Sequence, residues 1–196
     1  IRPPEATLPD KDDRASTLLI GAAAKPGGLR PGELDLTRAA APETAAAAIA
    51  GALTDEESLV RQTAVRRLTD SDIALRLKRL SPMLYDPVRA VRIEAASILA
   101  ALPRDNMPAD TRRQFEKALS EYRQAMQRNA DFAPARHNLG NLYVNLGQPE
   151  AAEQHYLRAI AIDRLFYPAK VNLAMLYNRQ GRNTDAEKLL REVTAE

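Results

Sequence analysis

Asn138-Leu-Gly-Asn-Leu-Tyr-Val-Asn-Leu-Gly147-Gln-Pro-Glu-Ala-Ala-Glu-Gln-His-Tyr156-Leu-Arg-Ala159 is the stretch on which the fold turns. Displaced by 34 residues, it lays Leu139 on Leu173, Tyr143 on Tyr177, Gly147 on Gly181 and Ala152 on Ala186. Carried backwards, the same grid adds the columns Ala118/Ala152/Ala186, Tyr122/Tyr156/Leu190 and Ala125/Ala159/Val193, without a gap. Leu139, Leu142, Tyr143 and Leu146 recur at intervals of three and four, which gives one helix a single apolar face. Gly147 supplies the left-handed conformation that ends such a helix. Thr184-Asp-Ala-Glu187 predicts a capping box opening the last helix. Ala152 and Ala159 let the paired helices approach, and Tyr156 fills the gap between them. One hairpin of this kind cannot bury its apolar face, so hairpins must stack.

Composition agrees. Of 196 residues, 35 are Ala and 25 are Leu, whereas aromatics make up 5% and Trp and Cys are absent. This favours packed helices over sandwiches or barrels. It also excludes disulfides, thiolate zinc sites and covalent haem attachment within the segment. The longest near-continuous apolar run, Ala45 to Leu53, is too short to cross a bilayer. No charged-then-apolar signal segment opens the chain, which starts at Ile1; a targeting peptide is expected to have been removed or left out.

A second repeat, of 31 residues, lies upstream. Leu53-Thr-Asp55 matches Leu84-Tyr-Asp86, Val60-Arg61 matches Val91-Arg92, Ala64 matches Ala95 and Leu68 matches Leu99. Asp86 followed by Pro87 predicts a helix start with the acid as cap, and Thr54-Asp-Glu-Glu57 offers a capping box at the equivalent place. Prolines and glycines interrupt every periodic run in residues 1–42, where Ser16 to Ala24 could form one short helix. The domain reading is therefore a linker or extended arm over 1–42, a repeat pair over 43–104, and a bridging helix with two further repeats over 105–196. Pro103 to Pro108 marks the joint, and Ala109 to Arg128 is the expected bridge.

The run Asn138 to Ala159 resembles the tetratricopeptide repeat (TPR) family, with the departures that Ala174 replaces the usual helix-contact Gly and Arg164 stands where many members carry Pro. Asp, five residues, then Val-Arg-x-x-Ala-x-x-x-Leu resembles the second helix of HEAT repeats, in which Asp and Arg pair between neighbours; Asp55, Asp86, Arg61 and Arg92 are then structural. Together the resemblances imply an all-α fold, a right-handed α-solenoid of stacked helical hairpins, HEAT-like and then TPR. They also imply a non-catalytic scaffold whose groove docks a partner peptide or helix. The groove residues are His137, Asn138, Asn141, Asn145, Asn172, Met175, Asn178 and Arg179. In TPR proteins of the carboxylate-clamp type, two successive Asn residues grip a peptide C-terminus. Asn141 and Asn172 match those places, while His137 stands where the clamp uses Lys. Repeat order and the phrases Asp86-Pro-Val-Arg-Ala-Val-Arg-Ile-Glu-Ala-Ala96, Glu121-Tyr122 and Asn129-Ala-Asp131 resemble the C-terminal half of bacterial multihaem c-type cytochromes. That resemblance implies a periplasmic module with its haem motifs upstream and no cofactor of its own; otherwise a cytoplasmic location is expected.

No nucleophile elbow, phosphate loop or metal-spaced His pair is present, so no enzyme activity and no metal are expected. His137 reads as a groove residue and His155 as a surface one, against the alternative of a ligand or acid–base group. The net charge of +2 divides into −4 over 1–59, +5 over 60–104 and +1 over 105–196. Arg61, Arg66, Arg67, Arg76, Lys78, Arg79, Arg89 and Arg92 are thus the candidate polyanion surface, with solvated helix faces as the plainer reading and nucleic acid disfavoured for want of interleaved aromatics. A third reading is a homodimer through the last helix, where no polar capping helix covers Leu189 and Leu190.

Overall fold

The computed structural model describes residues 29–38 and 40–194; the short helix expected over Ser16 to Ala24 lies outside them. Among the described residues there are nine α-helices and three short 3-10 turns, with no strand. This is an all-α helical-repeat fold, and it divides into two compact units, one through Ala95 and the other from Ala96.

The first unit holds α1 (Pro42–Ala52), α2 (Ser58–Arg67), α3 (Ile73–Leu80) and most of α4 (Arg89–Leu99). Ahead of α1, residues 33–38 form a 3-10 turn rather than linker, and Leu34 within it is fully buried. Pro31 and Gly32 make this turn, but they also interrupt the periodicity that would have announced Leu34 as core. The 31-residue register is physically real: Val60 and Val91, Ala64 and Ala95, Leu68 and Leu99 are all buried.

The capping box expected at Thr54 does not form. Thr54 turns back, its hydroxyl donating to the Gly51 carbonyl at 2.9 Å. Asp55 Oδ1 accepts the Glu57 N–H at 2.8 Å, so a two-residue Asx turn replaces the capping box. Asp86 repeats this with the Val88 N–H at 2.8 Å, and α4 begins only at Arg89. Arg61 donates to the carbonyls of Asp55 and Glu56, and Arg92 to those of Asp86 and Pro87, at 2.8–3.0 Å throughout. Each arginine thus ties down the turn before its own helix. Arg61 also reaches Asp86 through Nε (2.6 Å) and Nη2 (3.0 Å), a forked pair between side chains that are 11% and 4% exposed. Burial by itself raises the Asp86 pKa, but the Arg61 fork, the Val88 N–H and Arg92 outweigh it and hold the carboxyl below its ordinary value.

The second unit carries α5 (Ala109–Arg128), α6 (Ala133–Asn145), α7 (Pro149–Ile162), α8 (Tyr167–Arg179) and α9 (Asn183–Thr194). Pro134 and Pro168, again 34 apart, sit in the first turns of α6 and α8, where a missing N–H costs nothing. Both helices end in the same way. Gly147 at φ 69° and Gly181 at φ 76° take the left-handed conformation. Gln148 N–H then bonds Tyr143 O, and Arg182 N–H bonds Tyr177 O, each at 2.9 Å, completing a Schellman motif in each copy. Ala118, Ala152 and Ala186, like Leu139 and Leu173, are fully buried at the helix seams.

The departure at Ala174 has a steric explanation. A Cβ on Gly140 would lie 2.4 Å from the Tyr156 ring, whereas the residue 16 positions after Ala174 is Leu190, not an aromatic. Two expectations are corrected at α9. The helix begins at Asn183, so Thr184 lies inside its first turn, and Arg182 Nε pairs with Asp185 Oδ2 at 2.9 Å. Leu189 is half-buried against the core, leaving Leu190 as the exposed one of the two. Arg182 also holds both Glu153 oxygens at 3.1 Å and lies 3.7 Å from the Tyr177 ring centre, fastening the α8–α9 turn to α7.

Candidate functional site

The first helices of the two C-terminal repeats, α6 and α8, lie side by side, and their Asn side chains meet. Asn172 Nδ2 donates to Asn141 Oδ1 at 2.8 Å and to His137 Nε2 at 2.9 Å. The Tyr156 hydroxyl donates to the same Asn141 oxygen at 2.7 Å. An amide nitrogen can only donate, so His137 Nε2 accepts and the ring is neutral with its proton on Nδ1. Burial pushes the His137 pKa down, which keeps it in that form, and pushes the Tyr156 phenol up to about 12. The His137 ring also sits 5.9 Å from Tyr156 and 5.5 Å, edge-on, from Phe166.

Above this network opens a cavity of about 170 Å³ lined by Asn141, Val144, Asn145, Tyr156, Asn172, Met175, Leu176 and Arg179. Five of the eight residues expected in the groove are thereby brought together: Asn141, Asn145, Asn172, Met175 and Arg179. His137 stands behind them as the acceptor that orients Asn172. Asn138 and Asn178 are not in the lining. The Asn138 side-chain nitrogen lies 4.0 Å from the Met126 sulfur, the Asn138 backbone carbonyl accepts the Tyr122 hydroxyl at 3.3 Å, and Asn178 faces solvent. Val144 lines it too, as its place on the first helix implies, whereas Tyr156 and Leu176 line the cavity without having been assigned to it. Both belong to the apolar seam by periodicity, and only the close approach over Gly140 brings the Tyr156 hydroxyl through to the floor.

The two Asn side chains therefore spend part of their hydrogen-bonding capacity on each other. Asn141 Nδ2 and Asn172 Oδ1 remain for a ligand, one donor group and one acceptor, which suits a backbone amide. Met175 is half exposed and polarizable, and Arg179 is exposed at the rim. A peptide segment with an apolar side chain beside an acidic one fits this chemistry.

Part of the candidate polyanion surface is engaged within the protein. Arg61, half-buried, is forked onto Asp86, Arg66 meets Glu94 at 3.0 Å and Arg67 pairs with Asp35. Arg92 is committed to the carbonyls of its turn. Charges grouped in sequence were compensated by acids 25 to 32 residues away, which no local reading reveals. Arg76, Arg79 and Arg89 are half-buried, and Lys78 is exposed. Among the described residues no group of three His, Cys, Asp or Glu side chains is placed to hold a metal, and no helix is long and apolar enough to cross a membrane.

Comparison with known proteins agrees with this geometry. Residues 111–166 and 169–195 match tetratricopeptide repeat families. No curated protein and no solved structure matches the chain. The matched segments begin in α5 and run through α9, and no enzyme family is indicated. The hairpins that carry the groove match tetratricopeptide repeat families, and such repeats are characteristic of protein-interaction scaffolds.

Proposed function

We propose that this chain docks a partner protein through the α6/α8 groove, accepting an amphipathic peptide or helix whose apolar residue enters between Val144 and Met175 and whose acidic residue meets Arg179. The observation that carries this reading is the preorganised floor. Tyr156, Asn141, Asn172 and His137 form one hydrogen-bonded chain at 2.7–2.9 Å, so the groove is set before any partner arrives. No cofactor takes part. The test is titration of fluorescent helical peptides bearing a Leu/Met stripe flanked by Asp or Glu. Wild-type protein should bind a subset saturably, and Arg179→Glu should weaken that binding at least about tenfold, as expected for a lost charge-assisted contact. Absence of saturable binding across the panel, or equal binding by wild type, Met175→Glu and Arg179→Glu, removes the reading.

The 31-residue register, with Asp55 and Asp86 turning the chain and Arg61 and Arg92 bracing the turns, supports a HEAT-like pair upstream. The repeat order supports placing the module in a larger periplasmic multihaem cytochrome. Coding sequence upstream of Ile1 with several Cys-x-x-Cys-His motifs is the expected finding under that reading; an upstream sequence without them sinks it.

A further inference from the structure

On a different part of the same repeat, sharing no residue with the groove, an open depression of about 470 Å³ is lined by Arg136, Gln154, His155, Leu157, Arg158 and Ala161. It gathers two guanidiniums, an imidazole and a carboxamide without a carboxylate among them. Arg136 uses only Nε, donating to the Ala130 carbonyl at 2.9 Å, so both its terminal nitrogens are left to bind. No hydrogen bond or ion pair engages Arg158 among the described residues. Glu153, the acid next to Gln154 in sequence, is already taken by Tyr177 and Arg182. This contrasts with the first unit, where Arg61, Arg66 and Arg67 each have an acidic partner.

His155 is fixed in place. Its ring stacks on Tyr143, centroids 5.1 Å apart and planes 7° from parallel. Its Nδ1 is buried without a partner. Burying an N–H with no acceptor costs more than burying a bare ring nitrogen, so the proton belongs on Nε2, the nitrogen free to donate. Burial, and secondarily the positive charge of Arg136, lower the pKa of this ring. An anion in the depression reverses the second effect.

We propose that this depression is a phosphoryl-binding site. Arg136 and Arg158 would neutralise a dianion, with Nε2 of His155 and the Gln154 amide completing the donor set. The two guanidiniums balance the double charge of a phosphoryl group and the four donor groups suit its three oxygens, whereas a single carboxylate would leave one of the two positive charges unbalanced. The chemistry is shared by free phosphate and a phosphorylated side chain of a partner, and the experiment separates these sources.

The imidazole signals of the full chain are followed by NMR at constant ionic strength. There are only two histidines, and His137→Gln assigns His155. Inorganic phosphate, a phosphoserine peptide, its unphosphorylated form, acetate and chloride are added in turn. A saturable shift of His155 with phosphate or the phosphopeptide, weakened about tenfold or more in Arg158→Gln, is expected. Saturation by phosphopeptide at concentrations where phosphate has no effect identifies a phosphorylated partner, and equal saturation identifies free phosphate. Arg158 is exposed and unpaired, so its replacement leaves the fold intact; helical circular dichroism verifies this. Equal response to chloride or acetate, or an unchanged response in Arg158→Gln, overturns the proposal. Failure of the groove peptides to bind has no bearing on this outcome.

Discussion

The ring of Tyr156 occupies the space that a side chain at residue 140 would need, its Cε1 only 2.4 Å from where a Cβ on Gly140 would lie. Gly140 sits mid-helix, where glycine costs about 1 kcal/mol relative to alanine from backbone entropy alone. The exchange is favourable because Tyr156 is nearly fully buried and carries its hydroxyl to Asn141.

Gly140→Ala is therefore expected to destabilise by about 1–3 kcal/mol, despite its better helix propensity. Adding Tyr156→Leu, which copies the Ala174/Leu190 combination, should recover part of that loss. Urea unfolding of the two single variants and the double variant checks it, and strict additivity would show that the ring does not press on residue 140.

Tyr156→Ala should cost about 3–5 kcal/mol, the usual range for truncating a buried aromatic. Tyr156→Phe removes only the hydroxyl and should cost about 0.5–1.5 kcal/mol. A cost for Tyr156→Ala below about 1 kcal/mol would show the α6–α7 pairing to be wrong.

Asp86→Ala leaves the half-buried Arg61 guanidinium without its forked partner and removes the acceptor of the Val88 N–H, and should cost about 2–3 kcal/mol. Asp55 has no such fork, its carboxylate oxygen accepting the Glu57 N–H in a local turn. Asp55→Ala should accordingly cost less than Asp86→Ala, and chemical denaturation of the two variants side by side is the measurement.

Gly147→Ala and Gly181→Ala meet open space, so only the positive φ opposes them. Each should lose about 1–2 kcal/mol in thermal unfolding, with no change in helix content. A larger loss at one than the other would mean that the two Schellman turns are not equivalent.

Acid should weaken the fold in a defined order. Burial depresses the pKa of both His137 and His155, so the unfolded chain binds more protons than the folded one just below pH 6.5. Stability from this source is complete above that value and is lost as pH falls toward the folded pKa values. Asp86, held below the ordinary carboxylate value, contributes stability that is lost only at lower pH. His137→Gln keeps an acceptor for Asn172 without a titrating proton, so its melting temperature should fall less than wild type between about pH 6.5 and 5. Identical slopes would place the acid sensitivity elsewhere.

What could be read from the chain follows from how local each determinant is. The Leu139/Leu173 and Gly147/Gly181 columns are set by helix period and turn conformation, both written in consecutive residues. The groove was legible as far as Asn141, Asn145, Asn172, Met175 and Arg179, because their places follow from the repeat. The failed caps at Thr54 and Thr184 show where local reading ends. A threonine hydroxyl can turn forward to a helix start or back to a preceding carbonyl, and only the final backbone decides. Leu34 was hidden among prolines and glycines that erase periodicity. The meeting of Arg136 with Arg158, or of Tyr143 with His155, needs two helices already packed, and no spacing within either helix signals it.

The fork from Arg61 to Asp86 has a consequence for how the chain is made. The two residues are 25 positions apart, so during synthesis the arginine emerges first and waits. At about 5–20 residues per second, that interval is roughly one to five seconds. Until Asp86 arrives, the part-buried Arg61 guanidinium has only the Asp55 and Glu56 carbonyls as partners and its charge is uncompensated, so the leading copy is held less firmly by itself. The arginine thereby delays consolidation of the nascent chain until its second repeat has begun to emerge.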